Sequence, residues 1–117
     1  MAVESILIAD DEPLVQDLLS EVLKREGYQV TLAEDGYRAW KKIQESYFDV
    51  VITDVRMPKI DGLTLLKKVK ERRLDPKEMF ITAYGSIDDA VKAMKMGASD
   101  YLTKPIIPDQ IKITIQK

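Results

Sequence analysis

Apolar residues along this chain follow two rhythms that alternate five times. Ser5 to Ala9 (SILIA) is a short run rich in branched side chains, and after Glu12-Pro13 the residues Val15, Leu18, Leu19, Val22 and Leu23 recur at helical spacing. That pattern predicts a strand and then a helix over residues 12 to 26, with Asp11 at the N-cap position, Pro13 in the first turn and Gly27 at the C-terminal cap. Gln29 to Ala33 (QVTLA) predicts a second strand, and Asp35-Gly36 turns into a helix with Ala39, Trp40 and Ile43 on its inner face. Asp49 to Thr53 (DVVIT) predicts the third strand. Met57-Pro58 and Asp61-Gly62 are loop and turn signals before Leu63, Leu65, Leu66 and Val69 resume helical spacing, and Asp75-Pro76 breaks that helix. Met79 to Thr82 predicts the fourth strand; Ser86 then caps a helix carrying Ile87, Ala90, Val91 and Met94 that ends at Gly97. Asp100 to Thr103 predicts the fifth strand. In the tail, Ile111, Ile113 and Ile115 alternate like a strand while Ile107, Ile111 and Ile115 fit a helical stripe, and the segment is read as a short or truncated helix.

Strict strand-helix alternation implies an α/β fold, with a parallel sheet covered by helices on both faces and right-handed crossovers. The near-continuous apolar strands agree with burial on both faces. In such doubly wound sheets ligands sit outside the carboxyl ends of the strands. Four of the five predicted strands end in, or run into, a charged or hydroxyl residue: Asp10-Asp11, Asp54, Thr82 and Lys104.

Length and charge narrow the field. A chain of 117 residues suits one domain spanning residues 1–117, with 45% hydrophobic and 32% charged residues in the ordinary globular range. Its 18 basic and 20 acidic residues are mixed, leaving a net charge of -2 and no basic stripe for direct nucleic-acid binding. The apolar stretch Ile6 to Ala9 is too short for a signal peptide or a membrane span, so a cytoplasmic address is expected. With neither cysteine nor histidine, any metal must be held by oxygen.

Asp10, Asp11 and Asp54 gathered at one sheet edge would raise one another's pKa values or demand a compensating cation. Mg2+ suits hard oxygen ligands and is commonly held by one or two carboxylates plus a phosphate. A carboxylate beside such a cation can attack phosphorus and form an aspartyl phosphate. Asp54, alone at its strand end, is the candidate nucleophile. Lys104 would neutralise phosphoryl oxygens, Thr82 would donate a hydrogen bond to one of them, and backbone N–H groups such as those of Arg56 and Ala83 would complete the cradle. Taken singly, each residue has an ordinary structural reading: Asp10 and Asp11 as caps, Asp54 in a loop, Thr82 locally satisfied, Lys104 solvated. Four coincidences at four strand ends favour a site.

Asp10-Asp11, Asp54 with Met57-Pro58 and Asp61-Gly62, Thr82-Ala83 and Lys104-Pro105, in that order, resemble the receiver domain of bacterial two-component response regulators over essentially the whole chain. The resemblance implies a flavodoxin-like strand order 2-1-3-4-5. It also implies Asp54 as phosphoacceptor, and Mg2+ bound by Asp10, Asp11, Asp54 and the Arg56 carbonyl. Thr82 and Lys104 would contact the phosphoryl group, Tyr101 would move inward with Thr82, and Lys104-Pro105 would be cis. The implied partners are a sensor histidine kinase or phosphotransfer protein and an output domain or downstream protein. Phosphorylation would alter the face of the fourth helix, fifth strand and fifth helix, through which the domain could also dimerise. By the same resemblance the domain would catalyse only its own phosphorylation and dephosphorylation, and a bulky Tyr84 beside the site predicts a long-lived phosphoryl form.

The stretch from Thr82 to Ser86 and on through Ala93-Met94-Lys95-Met96-Gly97-Ala98 to Lys104-Pro105 is most similar to receivers of sigma-54-dependent transcriptional activators, which implies transcription regulation. A stand-alone phosphorelay intermediate is the alternative. A haloacid-dehalogenase-type phosphatase would need an acid where Arg56 stands, and a flavin phosphate would be repelled by the acidic loop after the first strand. Leu14 and Ile106 are read as packing residues or as a kinase contact, and Arg38, Lys41 and Lys42 as a solvated helix face.

Overall fold

The computed structural model describes residues 4–57, 59–74, 76–82 and 87–116. Its strands are β1 (Ser5–Ala9), β2 (Gln29–Ala33), β3 (Val50–Asp54), β4 (Lys77–Thr82) and β5 (Asp100–Thr103). Helices α1 (Pro13–Arg25), α2 (Gly36–Glu45), α3 (Gly62–Glu71), α4 (Ile87–Lys95) and α5 (Pro108–Gln116) alternate with them. The strands form one parallel sheet in the order β2-β1-β3-β4-β5, as expected.

Burial on both faces explains why the strands are so apolar. On one side Ile6, Ile8, Val50, Ile52, Met79 and Ile81 pack against Leu19 and Leu23 of α1 and Ile111 and Ile115 of α5. On the other, Leu7 and Val51 meet Ala39 and Ile43 of α2 and Leu65 and Val69 of α3. Phe80 packs there with Leu66, Ala93 and Ala98 beneath α4. Each large aliphatic side chain so buried contributes about 1.5–3 kcal/mol of transfer free energy. Parallel register then lines up the carboxyl ends, with Ala9 opposite Thr53, Asp54 opposite Ile81 and Thr82 opposite Thr103. Asp10 therefore follows β1 directly beside Asp54.

Two expected turns are helix caps. Asp35 accepts a hydrogen bond from the Arg38 N–H and Asp61 one from the Thr64 N–H, both at 2.8 Å, in the manner of N-caps. Gly62 follows because a Cβ there would lie 2.3 Å from the Asp54 carbonyl oxygen. Gly27, at φ +92°, turns the chain out of α1.

The structure corrects several local expectations. With Pro13 at the first helical position, the N-cap of α1 is Glu12 and not Asp11, and its side chain makes no capping bond. β3 begins and ends one residue later than expected, and β4 begins two residues earlier, taking Glu78 into the sheet. On α4 the inner face is formed by Asp89, Ala90 and Ala93, with Ala93 packed in one cluster with Phe80. Ile87, Val91 and Met94, expected inside with Ala90, are turned outward and exposed. The tail is helical throughout α5, with Ile111 and Ile115 buried and Ile113 facing solvent. Pro58, Asp75, Gly85 and Ser86 lie outside the described residues. Among the described residues, no helix is long and apolar enough to cross a membrane.

Candidate functional site

Asp54 is the last residue of β3 and is only 6% exposed. Its Oδ1 accepts from the Arg56 N–H at 3.1 Å, which curls the following loop over the strand end. Its Oδ2 accepts from Lys104 Nζ at 2.9 Å. Lys104 arrives from the turn after β5, where the Lys104–Pro105 peptide is cis as expected and the Lys104 N–H donates to the Thr82 carbonyl.

Asp10, 1% exposed, is held from the other side. Its Oδ1 accepts from the Glu12 N–H at 2.8 Å, and Gln16 Nε2 donates to its carbonyl. Its Oδ2 is buried with no hydrogen-bond partner among the described residues, and the Lys104 ammonium lies 3.9 Å away. Burial pushes the Asp10 carboxyl up to about 6, against the pull of the Glu12 N–H and of Lys104; the Asp54 and Glu12 charges add to the rise. For Lys104, burial pushes the pKa down, but hydrogen bonds to Glu12 and Asp54, with the Asp10 and Asp54 charges, outweigh it and leave the ammonium above the ordinary lysine value.

Carboxylate oxygens of Asp10, Glu12 and Asp54 all lie within 4.8 Å of one another. Three acids, one of them with an orphaned buried oxygen, and no softer donor form a set that fits a hard divalent cation. Glu12 was missing from the expected site, although it directly continues the Asp10-Asp11 pair in the sequence. Asp11, expected beside the cation, is exposed and stands outside this cluster.

Thr82 ends β4 fully buried, its hydroxyl donating to the Leu102 carbonyl of β5 over 3.5 Å. Tyr101, next to Leu102, is 41% exposed. The Thr82 hydroxyl thus bonds the strand that carries Tyr101, at the residue next to it. Ala83 and Tyr84 lie outside the described residues. Arg56 reaches across to α4, where its guanidinium donates to both oxygens of Asp89 at 3.3 Å. That pair was not foreseen, because 33 residues separate its members.

Residues 6–116 match the family described as Response regulator receiver domain. The chain is 39% identical over 112 residues to the transcriptional regulatory protein ZraR of Escherichia coli strain K12, covering 96% of this chain and 25% of that protein. It is 34% identical over 113 residues to the alkaline phosphatase synthesis transcriptional regulatory protein PhoP of Bacillus subtilis, covering 97% and 47%. The chain therefore spans a quarter to a half of the length of these relatives. Among solved structures, a response regulator receiver domain protein from Clostridium thermocellum superposes with a TM-score of 0.90 at 32% identity, covering 97% of this chain and 92% of that one. The chemotaxis response regulator CheY4 of Vibrio cholerae does so with 0.90 at 30% identity, covering 98% of each.

Proposed function

The chain belongs to the response regulator receiver domain family, and from that premise we propose that it is a phosphorylation switch whose phosphoacceptor is Asp54. One observation carries the reading: the Asp54 carboxylate is buried at a strand end, bonded to Lys104 and set within a cluster of acids.

In this reading a carboxylate oxygen of Asp54 attacks the phosphorus of a phosphohistidine on a sensor kinase or phosphotransfer protein. The P–N bond breaks, and the histidine nitrogen keeps the electron pair and takes up a proton. Asp10, Asp54 and the Arg56 carbonyl, with Asp11 or Glu12 from the same acidic run, would hold Mg2+, which when bound neutralises charge on the phosphoryl oxygens. Lys104 keeps its charge near neutral pH and transfers its hydrogen bond from Asp54 to a phosphoryl oxygen. The new group brings nearly two negative charges into a site already rich in them. Thr82 turns its hydroxyl from the Leu102 carbonyl to that group, and Tyr101 swings into the space left. The face of α4, β5 and α5 changes in consequence.

Relatives named as transcriptional regulators support an output in transcription control, of the sigma-54-dependent kind suggested by the sequence, in the cytoplasm. The domain turns over nothing beyond its own phosphoryl group. The test is phosphoryl uptake from a small acyl phosphate with magnesium or with a chelator. Uptake only with magnesium supports the proposal; equal uptake under both conditions would refute the metal-dependent reaction.

A further inference from the structure

The loop after Asp54 is tied down at two ends by a single residue. Arg56 donates its N–H to Asp54 Oδ1, while its guanidinium spans to α4 and binds both oxygens of Asp89. Asp89 lies in the first turn of α4, is 8% exposed and bonds no other described side chain. Such a two-point pairing fixes direction as well as distance. The Arg56 side chain is 79% exposed, so the ion pair adds little to global stability. A bond between distant elements with little global effect still sets where the backbone of residue 56 sits.

We propose that Asp89 is a positioning residue for the divalent-cation site, acting from α4 through the Arg56 guanidinium on the main chain next to Asp54. This deepens the proposed function and rests on it. The group offered to the cation by residue 56 is a backbone carbonyl, which every substitution retains. A change in cation affinity on altering either side chain therefore reports position and not loss of a ligand. Coupling is reciprocal: if Asp89 favours cation binding through α4, cation binding must steady α4 by the same factor.

Magnesium titration by calorimetry on the wild type, Arg56→Ala, Asp89→Asn and the double variant tests this. Each single variant should bind magnesium several-fold more weakly, and the double variant no more weakly than either single, because both remove one interaction. Amide hydrogen exchange in α4 should slow when magnesium binds the wild type and stay unchanged in Asp89→Asn. Melting curves without metal should move little in Asp89→Asn, which removes the buried charge, and fall in Arg56→Ala, which leaves Asp89 buried without its partner. Variants that bind magnesium like the wild type, or single effects that add in the double variant, would overturn the positioning role alone. A wild type that does not bind magnesium would overturn the metal reading beneath it as well.

Discussion

Glu78 provides a quantitative test that is independent of the phosphorylation site. It lies in β4, is 2% exposed, and neither carboxylate oxygen has a hydrogen-bond partner among the described residues. Burial pushes its pKa from 4.5 up to about 7, with the Lys70 charge pulling back only part of the way. The folded state thus binds this proton more tightly than the unfolded state. Stability from the protonated acid is complete below pH 4.5, declines as pH rises, and is gone once pH passes about 7. At about 1.4 kcal/mol per pH unit across that window, the ionised carboxylate costs about 3 kcal/mol. Glu78→Gln keeps the shape, cannot ionise and loses the Lys70 attraction, so it should be about 1–3 kcal/mol more stable than wild type at pH 8 and nearly equal at pH 4.5. Urea unfolding followed by the fluorescence of Trp40, the single tryptophan, measures both values in the presence of a chelator. Measuring the difference between variants cancels the similar contribution from Asp10. A Glu78→Gln variant no more stable at pH 8, or equally changed at both pH values, would refute the reasoning.

Two further outcomes follow from the packing around Asp54. Gly62→Ala places a methyl group 2.3 Å from the Asp54 carbonyl oxygen and should cost about 1–3 kcal/mol in urea unfolding, with weaker magnesium binding as β3 shifts. Lys104→Met leaves Asp10, Glu12 and Asp54 without their shared cation, so metal-free stability should fall by roughly 1–3 kcal/mol and the rise in melting temperature on adding magnesium should grow. An unchanged magnesium response in Lys104→Met would argue against a shared charge balance.

The fold was legible because its rule is local. Branched apolar runs gave the strands, helical spacing gave the helices, and Asp-Gly pairs marked the chain reversals that proved to be caps. What escaped depends on contacts between distant segments. The exposed stripe of Ile87, Val91 and Met94 reads as a core face until Ala93 is seen against Phe80. Asp89 carries no signal in the sequence, and its pairing with Arg56 shows only in the fold. Glu78 was missed with the start of β4, although an acid within a strand covered on both faces has no solvent side to occupy. At the site, Asp10, Asp54 and Lys104 were placed by strand ends alone, and the register brought them together. Glu12, at the N-cap of α1, joins Asp10 and Asp54 in the acidic cluster, a grouping that the Asp10-Asp11 pair alone did not show.

The central claim is that Asp54 itself takes the phosphoryl group. Intact-mass measurement of wild type and Asp54→Asn, each incubated with a small acyl phosphate and magnesium, addresses it directly. The wild type should gain the mass of one phosphoryl group and Asp54→Asn none; an equal gain by the variant would contradict the account.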